Sequence, residues 1–406
     1  MLAYVREHNL RASVTANYSS NLLLLEHTVY RDELDLDSRD PFSVQAKAES
    51  VDPENVIRTE RLMDAISAAV PFLVKLKVDW GPMRPNLSGL VQPAPQLRKL
   101  SLVHRIFSVD DDVIEIPETL FAGKAPVLRR LRLKGFTLCS STIPALESVH
   151  VLDFNTPRYL LDAPKTFPDV RHLTTGRSAS HSNGTLSLLH SLVTSVRSDH
   201  ADQNYFQALA VVPRVTVTCF VRGHEDQVPF STLFAAFPVN TPLRLKLSHR
   251  LGDSFLVSVS TLNRHTVRAC LFPLNPSSKL LAWIAEELEI LRSRRLLELD
   301  VHHHLFGSLN SIFPNGIPDL RTLRVQRATI TTQHIPFIAP MDPLVAVSPI
   351  RCPRLERYEL MDPFGRPTSE NLARELSATI QPGNGKFELV YNGAKILARR
   401  TGAGGG

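Results

Sequence analysis

A short phrase recurs in the chain and narrows what it can fold into. Pro95-Gln96-Leu97-Arg98-Lys99-Leu100-Ser101-Leu102 returns as Pro126-Val127-Leu128-Arg129-Arg130-Leu131-Arg132-Leu133. After each proline the apolar residues fall in the order L-x-x-L-x-L. A fixed pattern repeating every ~20–50 residues marks a repeat architecture, and this spacing is the strand of a leucine-rich repeat. One such unit cannot bury its own apolar face and has to stack on its neighbours. The expectation is an α/β chain: an irregular leucine-rich-repeat solenoid of short parallel strands, with helices or loops on the convex side.

Further copies follow the same spacing. Pro71 precedes Leu73, Leu76 and Val78; Pro318 precedes Leu320, Leu323 and Val325; Pro353 precedes Leu355, Tyr358 and Leu360. Pro144 with Leu146, Val149 and Val151, and Pro168 with Val170, Leu173 and Thr175, read as weaker copies. Counting the weak units gives roughly eleven, at a mean pitch of about 26 residues. The register is lost over 176–200 and stays irregular to 260. Helices are predicted over 53–70, where Leu62, Ile66 and Val70 form a stripe, and over 202–211. Phe230, Leu233, Phe234 and Phe237 make another helical face. The strongest helix starts at Asn275-Pro276, with Leu281, Ile284, Leu288 and Leu291 on one side. Val215, Val217 and Cys219, then Leu243, Leu245 and Leu247, alternate as strands, and Leu296, Leu299 and Val301 follow as another.

The expected organisation has four parts. Residues 1–52 form an N-terminal segment with a short strand at 33–37, and 53–365 form the repeat domain. Residues 366–400 form a C-terminal cap: a helix bearing Leu372, Leu376 and Ile380, then a hairpin turning at Asn392-Gly393. Residues 401–406 are a disordered glycine tail.

Of the 406 residues 43% are hydrophobic and 21% charged, which suits a folded rather than a disordered chain. The net charge of +6 permits an acidic partner without requiring nucleic acid. Cys139, Cys219, Cys270 and Cys352 show no C-x-x-C spacing and read as small buried residues of a reducing compartment. The first residues carry charges where a signal peptide needs its apolar core, and Leu22–Leu25 is too short to span a bilayer. A cytoplasmic or nuclear protein without a membrane partner is expected.

Chemistry is scarce. In His302-His303-His304 neighbours on a strand point to opposite faces, so the run does not converge on one ion. Gly383-Asn384-Gly385-Lys386 lacks the spacing and the hydroxyl residue of a phosphate loop. With neither G-x-S-x-G nor H-E-x-x-H, the expectation is a non-catalytic protein without metal or cofactor.

What remains is the surface between the inward leucines. Strand alternation places Lys75, Lys77, Lys99, Ser101, Arg130, Arg132, Lys134, Arg244, Lys246, Thr322 and Arg324 on the concave face. Glu298, Asp300, Arg357 and Glu359 make its last part mixed. Two readings stand. The basic residues Lys75, Lys77, Lys99, Arg130, Arg132, Lys134, Arg244, Lys246 and Arg324 hold an acidic or phosphorylated protein segment, since guanidinium forks suit phosphate. Otherwise they are solvated charges that keep the chain soluble. The lack of interleaved aromatic residues argues against single-stranded nucleic acid.

Leu120-Phe121-Ala122-Gly123-Lys124-Ala125-Pro126-Val127-Leu128-Arg129-Arg130-Leu131-Arg132-Leu133 resembles the "LFGGxAPxLRxLxL" segment common in F-box proteins of mushroom-forming fungi. The resemblance covers roughly residues 30–365. It implies irregular leucine-rich repeats and a substrate-recognition role in a Skp–cullin–F-box ubiquitin ligase. A free-standing repeat scaffold unconnected to ubiquitination is the alternative. Residues 1–50 lack the Leu-Pro start and amphipathic helices of an F-box, so a Skp-type adaptor is expected only where an F-box lies upstream. The Asn or Cys usual three places after the last repeat leucine is replaced by Gly81, Arg105, Phe136, Ala328 and Pro363. Without that internal amide ladder an irregular arc is expected.

Overall fold

The computed structural model describes residues 11–19, 22–30, 43–44, 63–80, 87, 89–104, 114–138, 143–155, 167–176, 186–197, 201–220, 228–250, 254–272, 278–302, 309–326, 350–361, 380–383 and 387–396. The chain divides into two compact units, Met1–Thr194 and Ser195–Gly406. Both are built mainly from parallel strands with few helices.

In the N-terminal unit the strands are β1 (Arg11–Ser19), β2 (Leu22–Tyr30), β3 (Ser43–Val44), β4 (Leu73–Asp79), β5 (Lys99–Val103), β6 (Ile114–Ile116), β7 (Arg130–Lys134), β8 (Phe136–Leu138), β9 (Val151–Asn155), β10 (His172–Thr175) and β11 (Ser191–Arg197). β1, β2 and β3 form an antiparallel meander, and β1 then pairs in parallel with β4. From there β4, β5, β7, β9, β10 and β11 pair in parallel, each with the next. β6 and β8 form a separate parallel pair.

The L-x-x-L-x-L spacing has a geometric cause. Leu97 N–H donates to the Ala94 carbonyl at 3.3 Å, Leu128 to Ala125 at 3.1 Å and Val170 to Phe167 at 3.1 Å. These are β-turns, and Pro95, Pro126 and Pro168 occupy the second turn position, where a fixed φ fits. Next, one carbonyl of each strand takes both amides of the residue pair on the following strand. The Arg98 carbonyl accepts from Arg129 and Arg130, that of Arg129 from His150 and Val151, that of His150 from Arg171 and His172, and that of Arg171 from His190 and Ser191. A residue pair facing one partner residue is a β-bulge. It turns both members of the pair outward, which is why the first leucine gap is one residue longer than the second.

The inward positions match the pattern at most repeats. Leu73, Leu76, Val78, Leu97, Leu100, Leu102, Leu128, Leu131 and Leu133 are all buried. One register is corrected. Leu131 pairs with Leu152 and Leu133 with Phe154, so the inward residues after Pro144 are Val149, Leu152 and Phe154. Val151 points outward beside Arg130, and Leu146 belongs to the preceding turn, its carbonyl accepting from Val149 N–H at 3.2 Å. Residues 186–197 also hold a strand where the sequence pattern is lost. Leu189, Leu192, Thr194 and Val196 are its buried residues, a threonine standing where a leucine is usual.

Phe136 stands where a repeat asparagine would be. It is fully buried, edge-on to Trp80 with ring centroids 5.8 Å apart, and His104 lies 6.4 Å away. Aromatic stacking fills this part of the N-terminal unit in place of an amide. Gly135 admits it: its φ is +76°, and a Cβ there would lie 2.3 Å from the His104 carbonyl oxygen.

In the C-terminal unit the strands are β12 (Arg214–Phe220), β13 (Leu243–Arg250), β14 (Ser254–Thr261), β15 (Val267–Phe272), β16 (Leu296–His302), β17 (Thr322–Gln326), β18 (Ile350–Cys352), β19 (Arg357–Met361), β20 (Ile380–Pro382), β21 (Glu388–Tyr391) and β22 (Ala394–Ile396). Their spatial order is β12-β15-β14-β13-β16-β17-β19-β21-β22. β14 runs antiparallel to both neighbours, which corrects the expectation of an all-parallel series. Its alternating Phe255, Val257 and Val259 are fully buried and carry no L-x-x-L-x-L signal. Parallel pairing resumes through β13, β16, β17, β19 and β21, with Leu299, Val301, Leu320, Leu323, Val325, Leu355, Tyr358 and Leu360 buried.

Several helices lie where apolar spacing predicts them, whereas the short helix Leu309–Ile312 was not expected. Gln203–Leu209 is capped by the Asp202 carboxylate, which accepts from Tyr205 N–H at 2.7 Å. Ser231–Ala235 follows Phe230, which is buried with Leu233, Phe234 and Phe237. Ser278–Glu287 continues as a 3₁₀ turn over Leu288–Ser293, burying Ile284, Leu288 and Leu291. Trp283 meets Phe230 and Phe272 edge-on at 5.4 and 5.3 Å. Residues 63–69 are helical and end in the 3₁₀ turn Val70–Phe72 at Pro71. The hairpin of β21 and β22 turns at Asn392 (φ 46°) and Gly393 (φ 80°), the left-handed pair a type I′ turn needs. Ile380, expected on the C-terminal helix, instead opens β20 and is buried there; the strand expected at 33–37, Leu62, Leu372 and Leu376 of that helix, and the 401–406 tail lie outside the described residues.

Candidate functional site

The two units carry the same strand spacing and opposite charge logic. In the C-terminal unit the outward residues neutralise one another. Arg244 on β13 pairs with Asp300 on β16 and lies 3.8 Å from Glu298. Arg324 on β17 reaches Glu298 at 2.9 Å, Asp300 at 3.3 Å and Glu359 on β19 at 2.9 Å. Arg357 lies 3.6 Å from Glu359 and 3.5 Å from Glu388, and Lys395 lies 3.2 Å from Glu388. Asp300 is only 2% exposed. Burial works against the Arg324 charge, but the hydrogen bonds it donates to Glu298 and Glu359 and the nearby Asp300 outweigh it and raise its pKa. Lys246 is half-buried in register with Asp300. Arg244 and Arg324, both candidate partner-binding residues, are therefore held by acids of their own unit.

In the N-terminal unit the register brings like charges together. Lys75 on β4 faces Lys99 on β5, which faces Arg130 on β7. One step along the strands, Lys77, Ser101, Arg132 and Asp153 line up, and Lys134 follows beside Asn155. Neighbouring strands are about 4.8 Å apart, so the first row sets ammonium and guanidinium groups side by side without alternating acids. Lys75, Lys99, Arg130, Arg132 and Lys134 are exposed and Lys77 half-exposed. Among the described residues no carboxylate ion-pairs with Lys75, Lys77 or Arg130. Arg132 meets Asp153 at 3.1 Å. Burial pushes the Asp153 carboxyl up, against the pull of Arg132 and Lys134.

Strict alternation turns Arg98, Arg129 and Arg171 inward, so the strand pattern alone misses them. The bulges leave Arg98 and Arg129 exposed and Arg171 half-exposed. The available signal was the longer first gap between leucines, which leaves room for an outward pair.

The described residues hold no cluster of His, Cys, Asp or Glu suited to a metal ion. His302 is buried at the end of β16; His303 and His304 lie outside the described residues. Cys219, Cys270 and Cys352 are buried free thiols. Burial pushes the Cys352 thiol up to about 12. Burial, with Cys219 as hydrogen-bond partner, also raises that of Cys270. Among the described residues no helix is long and apolar enough to cross a membrane. No protein-family model matches the chain, and no curated protein matches it.

Proposed function

We propose that this chain is a non-catalytic protein-interaction module whose N-terminal unit binds an acidic or phosphorylated protein segment. One observation carries this: Lys75, Lys99 and Arg130 stand in register on neighbouring strands, and among the described residues no carboxylate ion-pairs with Lys75 or Arg130, while the C-terminal unit pairs its own charges. Like charges directly opposite each other across strands are destabilising, so solubility alone is a poor reason for such a row. A bound anion would relieve the repulsion, and Arg130 and Arg132 offer the forked donors that suit carboxylate or phosphate. The test is fluorescence anisotropy with an acidic peptide and its phosphorylated counterpart. Reversing charge at Arg130 and Arg132 should abolish binding with the melting curve unchanged. Undiminished binding by that double variant sinks the proposal.

The resemblance to fungal F-box proteins supports a narrower reading, in which this surface selects substrates for a Skp–cullin–F-box ubiquitin ligase. Co-purification of a Skp-type adaptor with the native protein supports that reading. Native protein that carries an F-box and still recovers no adaptor removes it, leaving the free-standing scaffold.

A further inference from the structure

The bulges create a second basic row beside the first. Each outward pair begins one residue ahead of the strand: Arg98-Lys99, Arg129-Arg130, His150-Val151, Arg171-His172 and His190-Ser191. Their backbones are tied in sequence, each leading carbonyl accepting the amides of the next pair. The leading residues Arg98, Arg129, His150, Arg171 and His190 therefore stack across β5, β7, β9, β10 and β11. No acid occupies the row.

The arginines are positioned without being neutralised. Arg129 Nη1 donates to the Ser148 carbonyl at 3.1 Å and lies 3.1 Å from His150 Nε2. Arg171 Nη1 donates to the Val170 carbonyl at 3.1 Å. A guanidinium has five N–H donors, so each keeps donors to offer. Among the described residues no carboxylate ion-pairs with Arg98, Arg129 or Arg171; Asp169 lies 3.9 Å from His150. The C-terminal unit makes the contrast, because there the equivalent residues Arg321 and Glu356 alternate in sign and pair at 3.5 Å.

We infer that the acidic segment lies across the strands, along this row, and that its binding stretch is an acid-rich run of about six residues. This rests on the proposed function and deepens it. From Arg98 to Arg171 the row crosses β5, β7, β9 and β10, roughly 14 Å at about 4.8 Å per strand. Reaching His190 brings it to about 19 Å, and an extended chain covers that in about six residues at ~3.3 Å each. A polypeptide fits better than nucleic acid: among the described residues Trp80, Phe121, Phe136, Phe154 and Phe167 are fully buried and offer no face on which bases stack.

Fluorescein-labelled tetra-, hexa- and decaglutamate, a phosphoserine hexapeptide and a short oligouridylate, titrated against the full chain, test this. Affinity should rise from tetra- to hexaglutamate and level off at decaglutamate. Arg98→Gln, Arg129→Gln and Arg171→Gln should each weaken hexaglutamate about two- to fivefold, the value of an exposed ion pair. The triple variant should lose about tenfold or more with its melting curve unchanged. Tighter binding of the phosphoserine peptide also meets the expectation and names phosphate as the source of charge. A triple variant that binds like the parent overturns the inference. If charge reversal at Arg130 and Arg132 still abolishes binding in that case, the proposed function stands. Tighter binding of oligouridylate overturns the inference in favour of nucleic acid. No binding of either acidic peptide by the parent sinks the proposed function itself.

Discussion

Arg324→Met and Arg130→Met, measured side by side, separate a charge that holds the fold from one that does not. Arg324 donates to Glu298 and Glu359 at 2.9 Å and reaches Asp300 at 3.3 Å. Its side chain is 23% exposed, and those of Glu298, Asp300 and Glu359 are 25%, 3% and 14% exposed. Methionine fills much of the same volume, so packing loss is small and the change is mainly electrostatic. Removing one partner of a buried ion pair costs about 3–5 kcal/mol, because the other charge is stranded. Arg244 still partners Asp300, which places the expected loss near the lower end, about 3 kcal/mol. Arg130 is exposed and ion-pairs with no acid among the described residues, so its replacement should move stability by no more than about 0.5 kcal/mol. Urea denaturation followed by tryptophan fluorescence reports both. Equal midpoints for the two variants would refute the division of charge between the units.

Other expectations follow from particular residues. Leu131 is buried between Leu100 and Leu152; removing such a side chain costs about 2–5 kcal/mol of a total near 5–15. Leu131→Asp adds a buried charge and should go to the insoluble fraction, whereas a soluble variant with an unchanged melt would mean the inward register is wrong. Asp153→Asn removes the acid beside Arg132 and Lys134. Because its carboxyl is already pushed up by burial, the melting temperature should hardly change and acidic peptides should bind more tightly. Weaker binding would contradict the site. The thiolate is the reactive form of cysteine, and burial holds Cys352 protonated until about pH 12 and raises Cys270 as well. Raising the pH from 7 to about 9 should leave both unalkylated in native protein, with mass mapping showing labelling only after denaturant.

Much of the strand layout was legible because burial fixes it. A leucine two residues after a turn proline, then at +3 and +5, leaves few ways to place a strand, and Leu97 to Leu102 and Leu128 to Leu133 sit as that pattern demands. The register after Pro144 was misjudged because Leu146, Val149 and Val151 satisfy the same spacing as Val149, Leu152 and Phe154. Only pairing with Leu131 and Leu133 separates them. The strand at Ser191–Arg197 was hidden by Thr194, and β14 by its antiparallel course. The charge surface was half visible. Alternation found Lys75, Lys99 and Arg130 but missed Arg98, Arg129 and Arg171, since a bulge is a property of paired strands. The ion pairs that occupy Arg244 and Arg324 depend on cross-strand register, which one strand's sequence does not state.

Zero-length carbodiimide cross-linking of hexaglutamate to the full chain, read by peptide mapping, tests the central claim most directly. Cross-links should form at Lys75 and Lys99 in the N-terminal unit and be absent from Lys246 and Lys395 in the C-terminal unit. Cross-links spread over both units, or confined to the C-terminal one, would contradict the assignment of the binding face.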